Sequence, residues 1–312
     1  MNKWLAGISY EVAFWEATYT NKKTRQSLFE FSHRGGLLSL PGWDAANFIG
    51  AMPHPSEALI LDVGCGMTFA PGDYIEINGE RQSVNIHYID PLAHYYNKIN
   101  ARHHLNLPDV EFGMMEFLGA FYPQHNVSLV IIQNALDHSA APIQGILHSL
   151  ATLHIGGVLY LNHHLNEAEF ENYRGFHQFN ICVENGELII WNKKERHNIN
   201  ALVKDFANIK AFMHEGYPIA VITKTAEVPE NLLNFSQHLV ELSTNLIRYT
   251  EEVNKPGKML AHHIRFFLYR CVQNISKLFP WELRQNVKHI YNHVLKLFKQ
   301  NEKYLYTHFN KK

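Results

Sequence analysis

Past residue 58 the chain falls into a rhythm of short apolar runs separated by stretches with helical spacing. ALILDVG (58–64), VNIHYID (84–90), VEFGMM (110–115), VSLVIIQNA (127–135) and GGVLYLNHH (156–164) each read as a buried strand. PLAHYYNKINARHH (91–104) and APIQGILHSLATLH (141–154) read as helices between them. Strands that alternate with helices predict βαβ units and a parallel sheet covered on both faces. FHQFNICVENGELIIWN (176–192) predicts a hairpin turning at Asn185-Gly186. IKAFMHEGYPIAVITK (209–224) predicts two strands joined at Gly216-Tyr217-Pro218, an antiparallel end to the sheet. The expected fold is therefore α/β, a mostly parallel Rossmann-like sheet with an antiparallel last strand.

Helical segments flank this core. Residues 1–50 read as helical, with Tyr10, Phe14 and Trp15 on one face, then a segment punctuated by Gly35-Gly36 and Pro41-Gly42. Met52-Pro53-His54-Pro55 reads as a linker. After about residue 228 strand patterns stop. Residues 229–252 and 258–308 read as helices, broken at Lys255-Pro256-Gly257 and Pro280. This gives an N-terminal cap (1–55), a core (56–228) and a C-terminal extension (229–312).

Composition narrows the picture in three ways. Net charge is −1 over 312 residues, so the whole chain has no bulk attraction for nucleic acid. That near-neutral total hides a basic end: residues 258–312 hold eleven Lys/Arg against two acids. Cys65, Cys182 and Cys271 are far apart and form no CxxC, which argues against a disulfide framework or thiolate zinc site and suits a reducing compartment. Glu11 and Glu16 interrupt the N-terminal apolar stretch, so no signal peptide is read, and no apolar run reaches the ~20 residues of a membrane span. The expected location is cytoplasmic.

The chemistry begins at LILDVGCGMT (59–68). A glycine turn directly after a strand faces the crevice at the strands' carboxyl ends, where open α/β sheets bind ligands. Phe69 stands where a GxGxxG dinucleotide fingerprint has its third glycine, and no GK[ST] of a P-loop follows. Asp62 precedes the glycines, Gly64 and Gly66, and Asp90 closes the second strand. A carboxylate there can accept from both hydroxyls of a ribose. A nucleoside without phosphates suits this arrangement, and S-adenosylmethionine is one.

LDVGCG followed by IDP resembles the first two motifs of class I S-adenosylmethionine-dependent methyltransferases. With DPLAHYYNKI, NALDHSAAP, HHLNEAEFENYRGFHQFN and the early FWEATYT, the chain resembles a bacterial subgroup associated with surface-polysaccharide biosynthesis. The resemblance covers about residues 10–225. It implies a methyltransferase acting on an oxygen, a sugar hydroxyl of a surface glycan or its precursor. It also implies cofactor contacts from Asp62, Gly64, Gly66, Asp90, Pro91, Glu116, Asn134 and Asp137. The chain departs from the pattern at Thr68, where a third small residue is usual, and at Met115-Glu116, where an acidic pair is common.

An acceptor hydroxyl must lose a proton, and histidines at strand ends are candidates to take it. The fourth strand ends in Asn134-Ala135-Leu136-Asp137-His138, the fifth in Asn162-His163-His164. His138 or His164 is expected as the base, with His177 as a further catalytic candidate that, with Tyr173, shapes the acceptor site. His163, Glu167 and Gln178 are expected at the substrate as well. Asp137 and His138, as sequence neighbours, need not touch; one can face the cofactor and the other the substrate. A metal reading gathers Asp137, His138, His163, His164 and Glu167. Adjacent His163 and His164 point to opposite faces of a strand, and HExxH is absent, so no metal is expected.

Three alternatives stay open: a small-molecule or lipid methyltransferase on the same core, a non-catalytic binding protein, and, last, a nicotinamide enzyme. Nucleic-acid methylation is not expected, because NALD (134–137) lacks the aromatic that stacks on a flipped base. Residues 258–312 read as helices with a solvated basic face, or as a peripheral contact with an anionic membrane on its inner face.

Overall fold

The architecture is taken from a computed structural model that describes residues 4–31, 35–123, 126–171, 173, 175–252 and 267. Its centre is β1 (Leu59–Val63), whose last four residues are buried. β1 pairs in parallel with β4 (Asn85–Asp90) on one side and β6 (Val127–Gln133) on the other. β2 (Tyr74–Ile77) and β3 (Glu80–Ser83) form a separate hairpin between β1 and β4. β5 (Glu111–Phe112) extends the sheet beyond β4, and β7 (Leu153–Asn162) extends it beyond β6. β8 (Asn180–Glu184), β9 (Glu187–Trp191) and β10 (Arg196–Asn198) make a three-stranded antiparallel sheet of their own. β11 (Ala207–His214) and β12 (Tyr217–Lys224) return to the main sheet, β12 lying antiparallel between β7 and β11.

The seven-stranded order is β11-β12-β7-β6-β1-β4-β5. Chain connections diverge to opposite sides at β1, so the crevice beyond its carboxyl end is the topological switch point. This is an open, mostly parallel Rossmann-like sheet, with the antiparallel strand one place in from the edge.

Helices α1 (Ile8–Thr20), α2 (Lys22–Phe31), α3 (Ala45–Gly50), α4 (Ala93–His103), α5 (Leu118–Phe121), α6 (Pro142–Thr152), α7 (Glu167–Phe170), α8 (Ile199–Val203) and α9 (Gln237–Glu252) complete the described elements. One sheet face (Ile60, Leu129, Ile131, Tyr160, Ile219) packs on Leu38, Ile49 and Ile75, from α3, its approach and the β2–β3 hairpin. The other face (Leu61, Val130, Ile132, Leu159, Ile222) packs on α5, α6, α8 and the small sheet. A third, aromatic cluster gathers at the strand ends: Trp4, Trp15 and Tyr19 of the N-terminal segment against Met67, Phe69, Tyr88, Tyr96 and Phe176. α1 is apolar around most of its circumference and is buried accordingly.

Several expectations are corrected. The crossover from β1 to β4 holds the β2–β3 hairpin where a helix was expected. The third strand is two residues long, Glu111–Phe112, and is followed by Gly113, where a Cβ would lie 2.5 Å from Ile89 Cγ2. The β11–β12 turn is centred on Glu215-Gly216, one residue before the expected place. Both central residues have positive φ (50° and 88°), which a proline cannot adopt, and Pro218 instead pairs with Met213 inside the strands. Asn185-Gly186 turns as expected, with φ of 52° and 80°. Helix over 229–252 is confined to α9 and a 3-10 turn at Glu230–Leu232. The basic segment 258–312 lies, apart from Phe267, outside the described residues. No helix among the described residues is long and apolar enough to cross a membrane.

Candidate functional site

The glycine turn is held from two directions. Gly64 and Cys65 donate their N–H groups to the Ile89 carbonyl at 2.7 and 3.3 Å, tying the turn to β4. Asp90 Oδ2 accepts from the Gly66 N–H at 3.1 Å, and Oδ1 from the Leu92 N–H at 2.8 Å. The turn is also crowded. At Gly64 (φ 71°) a Cβ would meet the Ala135 Cβ at 2.4 Å; at Gly66 (φ 55°) it would meet Trp15 Cζ2 at 2.6 Å. Backbone conformation and close approach both require glycine here.

Asp62 and Asp90 are buried, and no Lys or Arg pairs with either among the described residues. Burial, together with the charge of Asp90, pushes Asp62 up to about 7. Burial pushes Asp90 up to about 7 as well, against the pull of its two backbone donors. Two such acids form a pocket that a cation stabilises.

α1 roofs this pocket. Trp15 lies over Gly66 and donates its Nε1–H to Glu11 Oε1 at 2.9 Å, and the Tyr19 hydroxyl donates to the Met67 carbonyl. Buried Glu16 anchors the roof to α4 through Arg102 at 2.6 Å and His103 at 3.2 Å. Trp4 Nε1 donates to the His138 carbonyl at 2.7 Å, fixing the segment to the far side of the crevice. The charge of Glu11 reaches Asp90 on one side and His138 and Glu167 on the other. The sequence reading met Glu11 only as an acid interrupting an apolar helix; that interruption is the signal that could have found it.

Across the crevice lies the second half. The turn after β6 carries a short 3-10 segment, Leu136–His138, which brings Asp137 and His138 together. The loop before β8 brings His177 to them. His177 Nδ1 is 2.8 Å from Asp137 Oδ2 and 3.2 Å from His138 Nε2, and His138 Nε2 is 3.6 Å from Asp137 Oδ2. Ring-nitrogen roles depend on the tautomer. Burial alone would raise Asp137, but the charge of His138 and the hydrogen bond from His177 hold it well below the usual carboxylate range. His177 moves the other way: burial would lower it, but the bond to Asp137 and that carboxylate's charge raise it to about 9. His177 is therefore the protonated member. Burial keeps His138 and His164 below the ordinary imidazole value and takes His163 down to about 4. Burial and the Asp137 charge push Glu167 up to about 8.

The remaining expected residues fall into place unevenly. Asp137, expected at the cofactor, engages the two histidines, so it and His138 are in contact although sequence neighbours need not be. Pro91 opens the turn between Asp90 and α4. Glu116 is buried, and its Oε1 accepts from the Ala140 and Ala141 N–H groups at 2.7 and 3.3 Å, holding the residues that lead into α6. Asn134 (φ 50°) bridges β6 and β7: its N–H donates to Asn162 O at 2.8 Å and its Oδ1 accepts from His164 N at 3.2 Å. The Tyr173 hydroxyl accepts from Asn180 Nδ2 at 2.9 Å, and Lys193 sits 4.5 Å from its ring centroid, so Tyr173 serves the small sheet. Gln178 Nε2 donates to the Tyr173 and Gly175 carbonyls at 3.2 and 2.8 Å and shapes its own loop.

No protein-family model matches the chain, and no curated protein matches it. Solved structures do. The CurJ carbon methyltransferase matches 57% of this chain and 51% of its own at 10% identity and TM-score 0.35. The Thermus thermophilus 16S rRNA N2 G1207 methyltransferase, solved with AdoMet and guanosine, matches 62% and 42% at 13% identity and TM-score 0.33. An O-methyltransferase family protein from Burkholderia thailandensis matches 58% and 55% at 14% identity and TM-score 0.34. The chain thus spans about half the length of these proteins. Likeness at this level carries no information on substrate, and the fold stands on the strand order itself.

Proposed function

We propose that the chain is an S-adenosylmethionine-dependent methyltransferase that methylates a hydroxyl oxygen, with a sugar hydroxyl of a bacterial surface glycan or its precursor as the acceptor class. One observation carries the reading: the crevice is divided into an acidic half, Asp62 and Asp90 at a glycine turn, and a histidine half containing imidazoles kept neutral. The acidic half fits the cofactor, whose sulfonium and ammonium groups offset two buried carboxylates that no cation pairs among the described residues. Asp62, Gly64, Gly66 and Asp90 would hold it. Asp90 spends one lone pair of each oxygen on a backbone N–H, and each oxygen retains another to accept from a ribose hydroxyl.

When bound, S-adenosylmethionine supplies an electrophilic methyl group. The protein's own contribution is to orient the acceptor and take its proton. His138 and His164 are neutral near pH 7 and partly exposed, so either can accept a proton from a hydroxyl, an effect typically of about 10²–10⁴-fold. Protonated His177, fixed by Asp137, holds a positive charge beside the place where negative charge develops on the acceptor oxygen. The glycan acceptor is supported by the sequence resemblance alone.

Calorimetric titration with S-adenosylmethionine, S-adenosylhomocysteine and NAD tests the cofactor. Binding of the first two and not the third, weakened at least tenfold in Asp90→Asn with the fold retained by circular dichroism, is expected. Absence of binding by folded wild-type protein would favour the non-catalytic alternative. Transfer of labelled methyl to glycan hydroxyls, compared with small-molecule and lipid acceptors, then tests the acceptor class.

A further inference from the structure

The histidine half holds more than proton transfer uses. Asp137 Oδ2, His138 Nε2 and His177 Nδ1 face one another at 2.8, 3.2 and 3.6 Å. Three such atoms this close are held together either by a hydrogen on His177 Nδ1 or, with that hydrogen gone, by a metal ion. Zinc bonds to imidazole nitrogen and carboxylate oxygen are about 2.0–2.2 Å long, so tetrahedral ligands stand about 3.3 Å apart. The three separations bracket that value.

A second observation is independent of those distances. His163 is 2% exposed, yet neither ring nitrogen has a hydrogen-bond partner. Glu167 is 5% exposed, and its Oε2 is likewise unpartnered, as is Asp137 Oδ1. Buried polar atoms are normally paired, and unpaired ones are costly. His163 and Glu167 both lie close enough to Asp137 for their charges to act on one another. The unpartnered Asp137 Oδ1 belongs to the converging triad itself, and His163 and Glu167 lie within electrostatic reach of it.

We propose that Asp137, His138 and His177 bind a divalent transition-metal ion, for which zinc is the fitting occupant, with Glu167 as a second counter-charge. Two imidazoles and a carboxylate are a borderline donor set suited to zinc and its neighbours, and not to magnesium or calcium. Asp137 offsets one of the two positive charges, and Glu167 stands near as a carboxyl that the ion would favour in its ionised form. The metal reading set aside from the sequence alone gathered Asp137, His138, His163, His164 and Glu167; it lacked His177, which lies forty positions from Asp137. With the ion bound, His177 gives up its Nδ1 proton and the ion takes over its positive charge; with His138 bound as well, the proton-accepting role falls to His164. An acceptor hydroxyl would be a natural further ligand. That role rests on the methyl-transfer reading; ion binding does not.

The test uses the tag-free full chain without cofactor or acceptor. Zinc titration by calorimetry, with metal content by mass spectrometry after gel filtration, is expected to give one tightly held equivalent. Affinity should fall at least tenfold in Asp137→Asn and in His177→Gln, and stay unchanged in His197→Ala, which removes a surface histidine. Substitution with Co²⁺ should give the visible absorption of a low-coordinate ion with nitrogen ligands. Should either variant fail to fold, the wild-type Co²⁺ spectrum decides, since a spectrum no different from the aquo ion overturns the proposal. So does wild-type zinc binding no tighter than that of the variants; the triad then shares a proton. Titration of S-adenosylmethionine on the same samples separates this failure from failure of the cofactor reading.

Discussion

The two halves of the crevice bury titratable groups to a similar depth, but they are built in opposite ways. The acidic half is local and over-determined. Asp62, Gly64 and Gly66 lie within five consecutive positions, and Asp90 reaches them across one strand pair, with its oxygens held by the Gly66 and Leu92 N–H groups. The histidine half is assembled at long range and is under-satisfied. His177 arrives from a separate loop, and His163, Glu167 and Asp137 keep polar atoms without partners. In the first half the backbone fixes the geometry and charge is left over. In the second, charge fixes the geometry and hydrogen-bonding capacity is left over. Local motifs position a binding site; long-range ion pairs set the protonation states that chemistry needs.

The comparison can be broken at its ends. The largest expected effect is on turnover. Replacing whichever of His138 and His164 takes the proton by alanine should lower kcat by about 10²–10⁴-fold while cofactor affinity, measured by calorimetry, stays within a factor of two or so. Wild-type turnover in His138→Ala, His164→Ala and His177→Ala alike, with folding intact, would remove the catalytic reading of this half. Asp90→Asn should do the reverse: cofactor binding weaker by about 10–100-fold, or about 1.4–2.7 kcal/mol, with the histidine titrations seen by NMR unmoved.

A third effect is on stability. Gly66→Ala places a methyl group against the Trp15 ring at a positive φ, so it should lower the unfolding free energy by about 1–3 kcal/mol, read from the denaturation midpoint. Gly79→Ala serves as the comparison, since its positive φ carries strain but nothing lies within 4 Å of the added methyl. An equal loss in both would show that the roof does not press on the turn.

The smallest effect is on pH dependence. Asp62 and Asp90 sit near 7 folded and near 3.8 unfolded, so between those values the folded state binds more protons. Their contribution to stability is complete below the unfolded value and is lost as pH rises through about 7. His163, held near 4 by burial, works oppositely, adding stability as pH rises through its folded value toward 6.5. Glu167, raised to about 8, and His177, raised to about 9, also lose stability across pH 6.5–8, so the acid's share is read as the difference between wild type and Asp62→Asn. Over that interval Asp62→Asn should flatten the fall in unfolding free energy by about 1 kcal/mol. An unchanged slope would show that Asp62 is ionised throughout.

Much of this was legible in the sequence, for reasons that differ by element. The strands of the main sheet are buried on both faces and read as continuous apolar runs, so β1, β4, β6 and β7 were found. The β2–β3 hairpin was missed although Asn78-Gly79 turns with φ of 53° and 82°. Its strands are short and polar, YIEI and ERQS, and carry little hydrophobic signal. Glu116, Asn134, Tyr173 and Gln178 were singled out because they sit in family-like stretches. Position in such a stretch does not say where a side chain points. Glu116 holds the approach to α6, Asn134 joins two strands, Tyr173 packs on the small sheet, and Gln178 shapes the loop that carries His177.

What the sequence determined by itself is whatever depends on neighbours along the chain: the period of the apolar pattern, the turn that only glycine can make, and the acid that closes β4. These follow from backbone sterics and from burial of one contiguous run. The tertiary structure decided which distant groups share a charge. Only the packed chain sets α1 over the glycine turn, puts Glu11 between the two halves, and carries His177 to Asp137. Electrostatic coupling depends on distance in space and on exclusion of water, and neither is written in the spacing of residues along the chain.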